Sequence, residues 1–254
     1  MVKAGSQMVC QGGPLLLRAW MQQLAQLRKH HNIEVIWVTS GAIAWAAERT
    51  GFKNAKRTLP QKQALSAIGQ PLVMDQYNLA LQATGLLGSQ VLLTAGDMKD
   101  PVRQRNLRNT LRELLTWKVI PILNENDAVA TEEIRFGDND SLASQVAVMM
   151  KAERLVLLTD VDGLYDADPK RTPKARLLPY RQRITAQDLR LTKGKAAKAS
   201  VGTGGMYSKL TAARRAQRAG IVVNLVRGDI PGNLMQIAVG KSIGTQVGGK
   251  YAEA

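Results

Sequence analysis

Along this chain, short continuous apolar runs alternate with longer stretches whose apolar residues recur every three to four positions. Glu34-Val35-Ile36-Trp37-Val38 reads as a buried strand closed by Thr39-Ser40-Gly41. Val91-Leu92-Leu93, Val119 to Leu123, Arg154 to Leu158 and Ile221 to Val226 read the same way. Three of those four end in polar clusters that carry candidate chemistry: Thr94 to Asp97, Asn124 to Asp127, and Thr159-Asp160. Continuous rather than alternating hydrophobicity predicts parallel strands covered on both faces. Pro14 to His30 predicts a helix with Leu16, Trp20, Leu24 and Leu27 as its inner stripe. Gln61 to Thr84 predicts helix broken near Gly69-Gln70-Pro71, since proline removes a hydrogen bond. Asp100 predicts the cap of a helix to Trp117, with Leu107, Leu111, Leu114 and Leu115 inward. Asp140 to Ala152 and Met206 to Ala219 complete the set, the last stopped by Gly220. This alternation predicts an α/β fold, a three-layer αβα sandwich around an open, mainly parallel sheet. In such sheets ligands bind beyond the carboxyl ends of the strands, where these polar clusters fall.

Composition narrows the class. The 254 residues include 45% hydrophobic and 22% charged positions, enough to bury a core. No run of about 18 apolar residues offers a membrane-spanning helix, and the first residues lack the apolar core of a signal peptide. The lone Cys10 suits a reducing compartment, so a cytoplasmic location is expected. The formal charge of +15 attracts polyanions, but the basic residues are dispersed and aromatics are only 4%, so nucleic acid is not the expected partner. Trp20, Trp37, Trp45 and Trp117 fit core or interface positions. The two histidines, His30 and His31, end a helix, where they suit the negative end of its dipole; a histidine base or metal site is not expected.

Candidate chemistry lies in a few segments. Gly202-Thr203-Gly204-Gly205-Met206-Tyr207-Ser208-Lys209 is a glycine-rich turn entering a helix. It reads either as a phosphate cradle with Lys209 in reach or as a plain connector. It is not a Walker A loop; the nearest approach, Gly240-Lys241-Ser242, has Met235 where the first glycine belongs. Ser40-Gly41 after a strand is an anion cradle or a turn with Ser40 as N-cap. Gly137-Asp138-Asn139-Asp140 is an Asx turn and cap, or a carboxylate placed to hold a lysine or a metal; three such residues exceed what one cap needs.

Taken with Val38 to Ala44, Asn124 to Thr131, and Leu158-Thr159-Asp160 followed by Gly163-Leu164-Tyr165, these segments resemble the amino-acid kinase superfamily. The run Asn124-Glu125-Asn126-Asp127-Ala128-Val129 with Gly137 to Asp140 resembles its glutamate 5-kinase branch. The resemblance implies the carbamate kinase-like fold, with a substrate-binding lobe over about residues 1–150 and an ATP-binding lobe over about 151–254. It implies phosphorylation of the γ-carboxylate of L-glutamate, with ATP and Mg2+ as cofactors. Lys3 and Lys209 would contact the transferring group and Asp140 would hold them. Ser40, Gly41, Asn124, Asp127 and Asn139 would bind glutamate. Thr159, Asp160, Thr203, Gly204, Gly205, Met206, Lys3 and Lys209 would line the ATP site, with magnesium held through the nucleotide and not by direct protein ligands. A homo-oligomer (dimer or tetramer) and feedback inhibition by proline are further implications. Ala4-Gly5-Ser6-Gln7 replaces the usual Leu-Gly-Thr-Ser, Ala44-Trp45-Ala46-Ala47 replaces a smaller, glycine-containing run, and the PUA domain carried by many relatives is not expected here. The other readings are an acetylglutamate or aspartate kinase, a non-catalytic ligand-binding protein of this fold, and, on charge alone, a nucleic-acid binder.

Overall fold

The computed structural model describes residues 1–52, 56–130, 138–192 and 205–251. The chain divides into two compact units, one of residues 4–136 and one of residues 1–3 with 137–254.

In the first unit, strands β2 (Trp37–Val38) and β3 (Leu87–Leu93) both run parallel to β4 (Val119–Glu125). Every residue of β4 is buried, as its unbroken apolar run predicts. The β3 strand begins four residues before the expected Val91, because Gly88 to Gln90 pair with β4 despite their weak strand propensity. Helix α1 (Ser6–His31) contains Gly13 at φ 59°, so a separate helical segment precedes Pro14. Its buried stripe is Leu17, Trp20, Leu24 and Leu27; Leu17 rather than Leu16 takes the innermost place. Helix α2 (Ala42–Arg49) follows β2.

Helix α3 (Leu59–Gln82) corrects the expected break: it runs through Pro71 without interruption. A helix tolerates an internal proline when packing holds its flanks. Here Gly69 lies so close to α2 that an added Cβ would stand 1.8 Å from the Ala42 carbonyl oxygen. Glycine is therefore present for close approach, not for a bend. Helix α4 (Pro101–Thr116) is capped as predicted, the Asp100 carboxylate accepting from Val102 and Arg103 N–H at 2.7 and 3.1 Å. Leu107 and Leu111 are buried, whereas Leu114 and Leu115 are half-buried. Trp117, expected in the core or an interface, is exposed.

In the second unit the strand order is β1 (Val2–Lys3), β5 (Arg154–Thr159), β7 (Val222–Arg227), β8 (Thr245–Val247), β6 (Tyr180–Arg181). The β1, β5 and β7 strands are parallel and β8 runs antiparallel to β7. Two residues suffice for β1 because it pairs along β5, with the Met1 carbonyl accepting from Val156 N–H at 2.9 Å. Helices α5 (Asn139–Met150) and α7 (Met206–Arg218) pack on each other and on these strands; α6 (Ala186–Leu191) and α8 (Asn233–Ala238) are short. Gly220, at φ 82°, follows α7 as expected of a stop. A mainly parallel sheet flanked by helices is thus what both units contain.

Candidate active site

Helix α5 starts where it does because Asp138, in extended conformation, accepts from Ser141 N–H at 2.8 Å. With Asp138 serving as the cap, Asp140 is left in the first turn with its carboxylate fully buried. Three donors from two other elements converge on it. Lys3 at the end of β1 places Nζ 2.7 Å from Oδ1. Lys209, in the first turns of α7, places Nζ 3.2 Å from Oδ2. Ser208 Oγ donates to Oδ2 at 2.7 Å. Ser208 lies within the glycine-rich segment Gly202 to Lys209, but the sequence pattern gives it no role of its own.

Both ammonium groups are buried as well, Lys3 at 2% and Lys209 at 6% exposure. Two buried positive charges thus share the Asp140 carboxylate, with the Asp138 charge also acting on Lys3, and burial makes each charge dependent on such partners. Burial pushes the Lys3 ammonium down to about 8, the neighbouring Lys209 charge adds to the fall, and Asp140 opposes it. Burial alone would raise the Asp140 carboxyl, but Lys3 and Lys209 outweigh it and hold the group below the usual carboxylate range. The arrangement can receive a multiply charged anion such as a phosphoryl group, and it keeps the receiving charges fixed in advance.

The other nucleotide candidates of this unit have definite places. Lys3 pairs with Leu157 in the β1–β5 register, so Thr159 lies two residues further along the neighbouring strand, at the same carboxyl end. Thr159 is buried and its hydroxyl lies 3.4 Å from Asp160 Oδ1. Asp160 is ion-paired with Lys170 at 2.6 Å, a partner not expected from sequence. Burial opposes ionisation of Asp160, yet Lys170 keeps its carboxyl low. Gly205 is the N-cap of α7 and brings no side chain to its terminus; half-buried Met206 opens the helix. Asn139 is half-buried at the first position of α5. Thr203 and Gly204, with Gly202 and Gly137 of the motifs, lie outside the described residues.

The remaining substrate candidates belong to the first unit. Ser40 follows β2, but Gly41 is the N-cap of α2, correcting the alternative that made Ser40 the cap. Gly41 has φ 107°, a conformation that requires glycine, and a Cβ there would lie 3.1 Å from Cys10 Sγ, a tight contact. Asn124, buried at the end of β4, donates from Nδ2 to Gln70 Oε1 at 2.7 Å and accepts from Glu125 N–H at 3.0 Å. Asp127 is half-buried in the turn that follows. Burial, and then the Glu48 charge, push the Cys10 thiol up to about 12, away from the thiolate form. Trp45 is half-buried on α2.

The model of the Amino acid kinase family matches residues 1–226. The chain is 42% identical over 248 residues to the glutamate 5-kinase of Trichlorobacter lovleyi, covering 96% of this chain and 65% of that protein. It is 44% identical over 247 residues to the glutamate 5-kinase of Thermus thermophilus, with the same coverages. The chain therefore spans about two thirds of the length of these relatives. Among solved structures, isopentenyl phosphate kinase superposes with a TM-score of 0.64 at 18% identity, over 97% of this chain and 98% of that one. An N-acetylglutamate synthase from Neisseria gonorrhoeae superposes at 0.66 and 17% identity, over 99% and 59%. At these identities the superpositions speak for the fold, and together with the family match over most of the sequence they place the result beyond local motif resemblance: the chain belongs to the amino acid kinase family.

Proposed function

We propose that this chain carries an ATP-dependent glutamate 5-kinase activity, converting the γ-carboxylate of L-glutamate to L-glutamyl 5-phosphate, the first step of proline biosynthesis, in the cytoplasm. The observation that carries the reading is the convergence of Lys3, Lys209 and Ser208 on buried Asp140. The relatives named glutamate 5-kinase, 42% and 44% identical over 96% of the chain, support glutamate over acetylglutamate or aspartate as the acceptor.

The residues fit a nucleotide's terminal phosphates, because the cluster holds two ammonium groups against one carboxylate. ATP bound there supplies the phosphoryl group, with magnesium carried on its phosphates. Lys3 and Lys209 offset the charge that spreads over the transferring oxygens, where phosphoryl transfer needs positioning and charge neutralisation more than covalent help. Asp140 keeps both ammonium groups in place and favours the charged form of Lys3. On the strength of the resemblance we assign Thr159, Asp160 and the segment 203–209 to the nucleotide, and Ser40, Gly41, Asn124, Asp127 and Asn139 to glutamate. The acceptor is itself a carboxylate, so no strong base is needed, consistent with a cluster built of lysine, serine and aspartate. We place the active form in a homo-oligomer and proline as its feedback inhibitor on the strength of the resemblance.

The test is a hydroxamate assay on the 254-residue chain with ATP and magnesium, offering glutamate, aspartate and N-acetylglutamate in parallel. Product with glutamate alone is expected. Preference for either of the other two acceptors overturns the substrate, and no ATP-dependent product with any acceptor overturns the activity.

A further inference from the structure

We propose that Tyr77, which belongs to none of the motifs above, is a positioning residue for the acidic substrate: from α3 it fixes the loop that carries Ser40. This rests on the functional reading just given, since it assigns Ser40 to substrate binding.

Tyr77 is fully buried, and its hydroxyl is the meeting point of two polar groups at the end of β2. Trp37 Nε1–H donates to it at 2.9 Å. The Thr39 hydroxyl is shared between the Tyr77 oxygen at 3.0 Å and the Ser40 carbonyl oxygen at 3.3 Å. Thr39 is itself buried, and its N–H is held by the Leu123 carbonyl at 2.9 Å. Trp37 is wedged between Trp20 and Tyr77, with ring centroids 5.3 and 6.2 Å away. Such a buried polar set is costly to rearrange, because losing the Tyr77 oxygen removes the acceptor of the buried Trp37 Nε1–H and one of the two acceptors of the Thr39 hydroxyl. The backbone leaving β2 is therefore tied to the Tyr77 phenol through the Thr39 hydroxyl.

Two further contacts of the same helix act on the same rim. Gly69 admits the first residue of α2 at contact distance, and Gln70 Oε1 accepts from the Asn124 side chain at 2.7 Å. Gly69, Gln70 and Tyr77 lie on one buried face of α3. The helix thus locates Ser40, Gly41 and Asn124 together, without itself offering a group to the ligand.

The experiment measures KM for glutamate and for ATP, kcat and melting temperature in wild type, Tyr77→Phe, Thr39→Val and Thr39→Ser. Loss of one such anchor raises the glutamate KM about tenfold in Tyr77→Phe and Thr39→Val, with the ATP KM within about twofold. Thr39→Ser, which keeps the hydroxyl, stays near the wild-type glutamate KM. A general loss of packing would instead change both KM values together or lower only the melting temperature, and either pattern overturns the proposal. So does an unchanged glutamate KM in Tyr77→Phe, or in Thr39→Val should Tyr77→Phe not fold. Wild-type chain without glutamate-dependent product removes the functional reading instead, which separates the two failures.

Discussion

Replacing Asp140 with asparagine removes one charge and leaves the volume almost unchanged. In the wild type its two oxygens receive Lys3 at 2.7 Å, Lys209 at 3.2 Å and Ser208 at 2.7 Å, with all three charged groups buried. Asparagine would leave two buried ammonium groups close together without the carboxylate that contacts both. Breaking a buried pair from one side costs about 3–5 kcal/mol, and for a domain of this length that lowers the melting temperature on the order of 10 °C. Turnover should fall about a hundredfold or more, the effect of misplacing one charge-stabilising donor. The pH dependence gives a sharper readout. Folded Lys3 titrates at about 8 against 10.5 for an ordinary lysine. Between those values the unfolded chain holds a proton that the folded lysine has released, so stability from this group rises with pH across that window. The difference between wild type and Lys3→Met, followed by thermal melts from pH 7 to 10, isolates it. In Asp140→Asn the upward influence of the carboxylate is gone, and the rise must begin below pH 8. If Lys3 must be charged to act, kcat/KM for ATP declines above about pH 8 in the wild type. An Asp140→Asn chain that melts and turns over as the wild type does, with an unshifted pH window, would refute the coupling.

Lys209→Ala should lower kcat at least about a hundredfold, about 2.7 kcal/mol, with the circular dichroism spectrum intact; unchanged turnover removes Lys209 from the reaction. Asp127→Ala should raise the glutamate requirement with ATP affinity little altered, measured by initial rates in the same hydroxamate assay; the reverse pattern would exchange the two assignments. Gly69→Ala should destabilise the chain by about 1–3 kcal/mol in urea titration, because the new methyl group meets the Ala42 carbonyl rather than a flexible side chain; an equal midpoint would mean that α2 moves away at no cost.

Much of this protein was legible before any coordinates. The apolar runs that became β4, β5 and β7 are buried throughout most of their length, and burial is what continuous hydrophobicity encodes. The Asp100 cap and the Gly220 stop are local events, decided within a few residues by side-chain and backbone geometry. The polar clusters at the strand ends were likewise visible, because they interrupt the apolar runs, although Thr39, Asn124 and Thr159 among them are themselves buried.

What the sequence could not decide depends on groups distant along the chain. β1 has two residues and β8 three, too short for a periodic signal, and each exists because a longer strand offers it partners. The proline of α3 looked like a break because local rules carry no account of the helix packed beside Gly69. Asp138, Asn139 and Asp140 are chemically close neighbours, and composition alone cannot say which one caps and which turns inward. That choice follows once β1 lies along β5 and α7 packs on α5, bringing Lys3 and Lys209 to one carboxylate. Sequence thus set which residue types were available and where the strands end, while only tertiary packing joined two remote lysines to a single buried charge, since electrostatic coupling falls with distance in space and not along the chain.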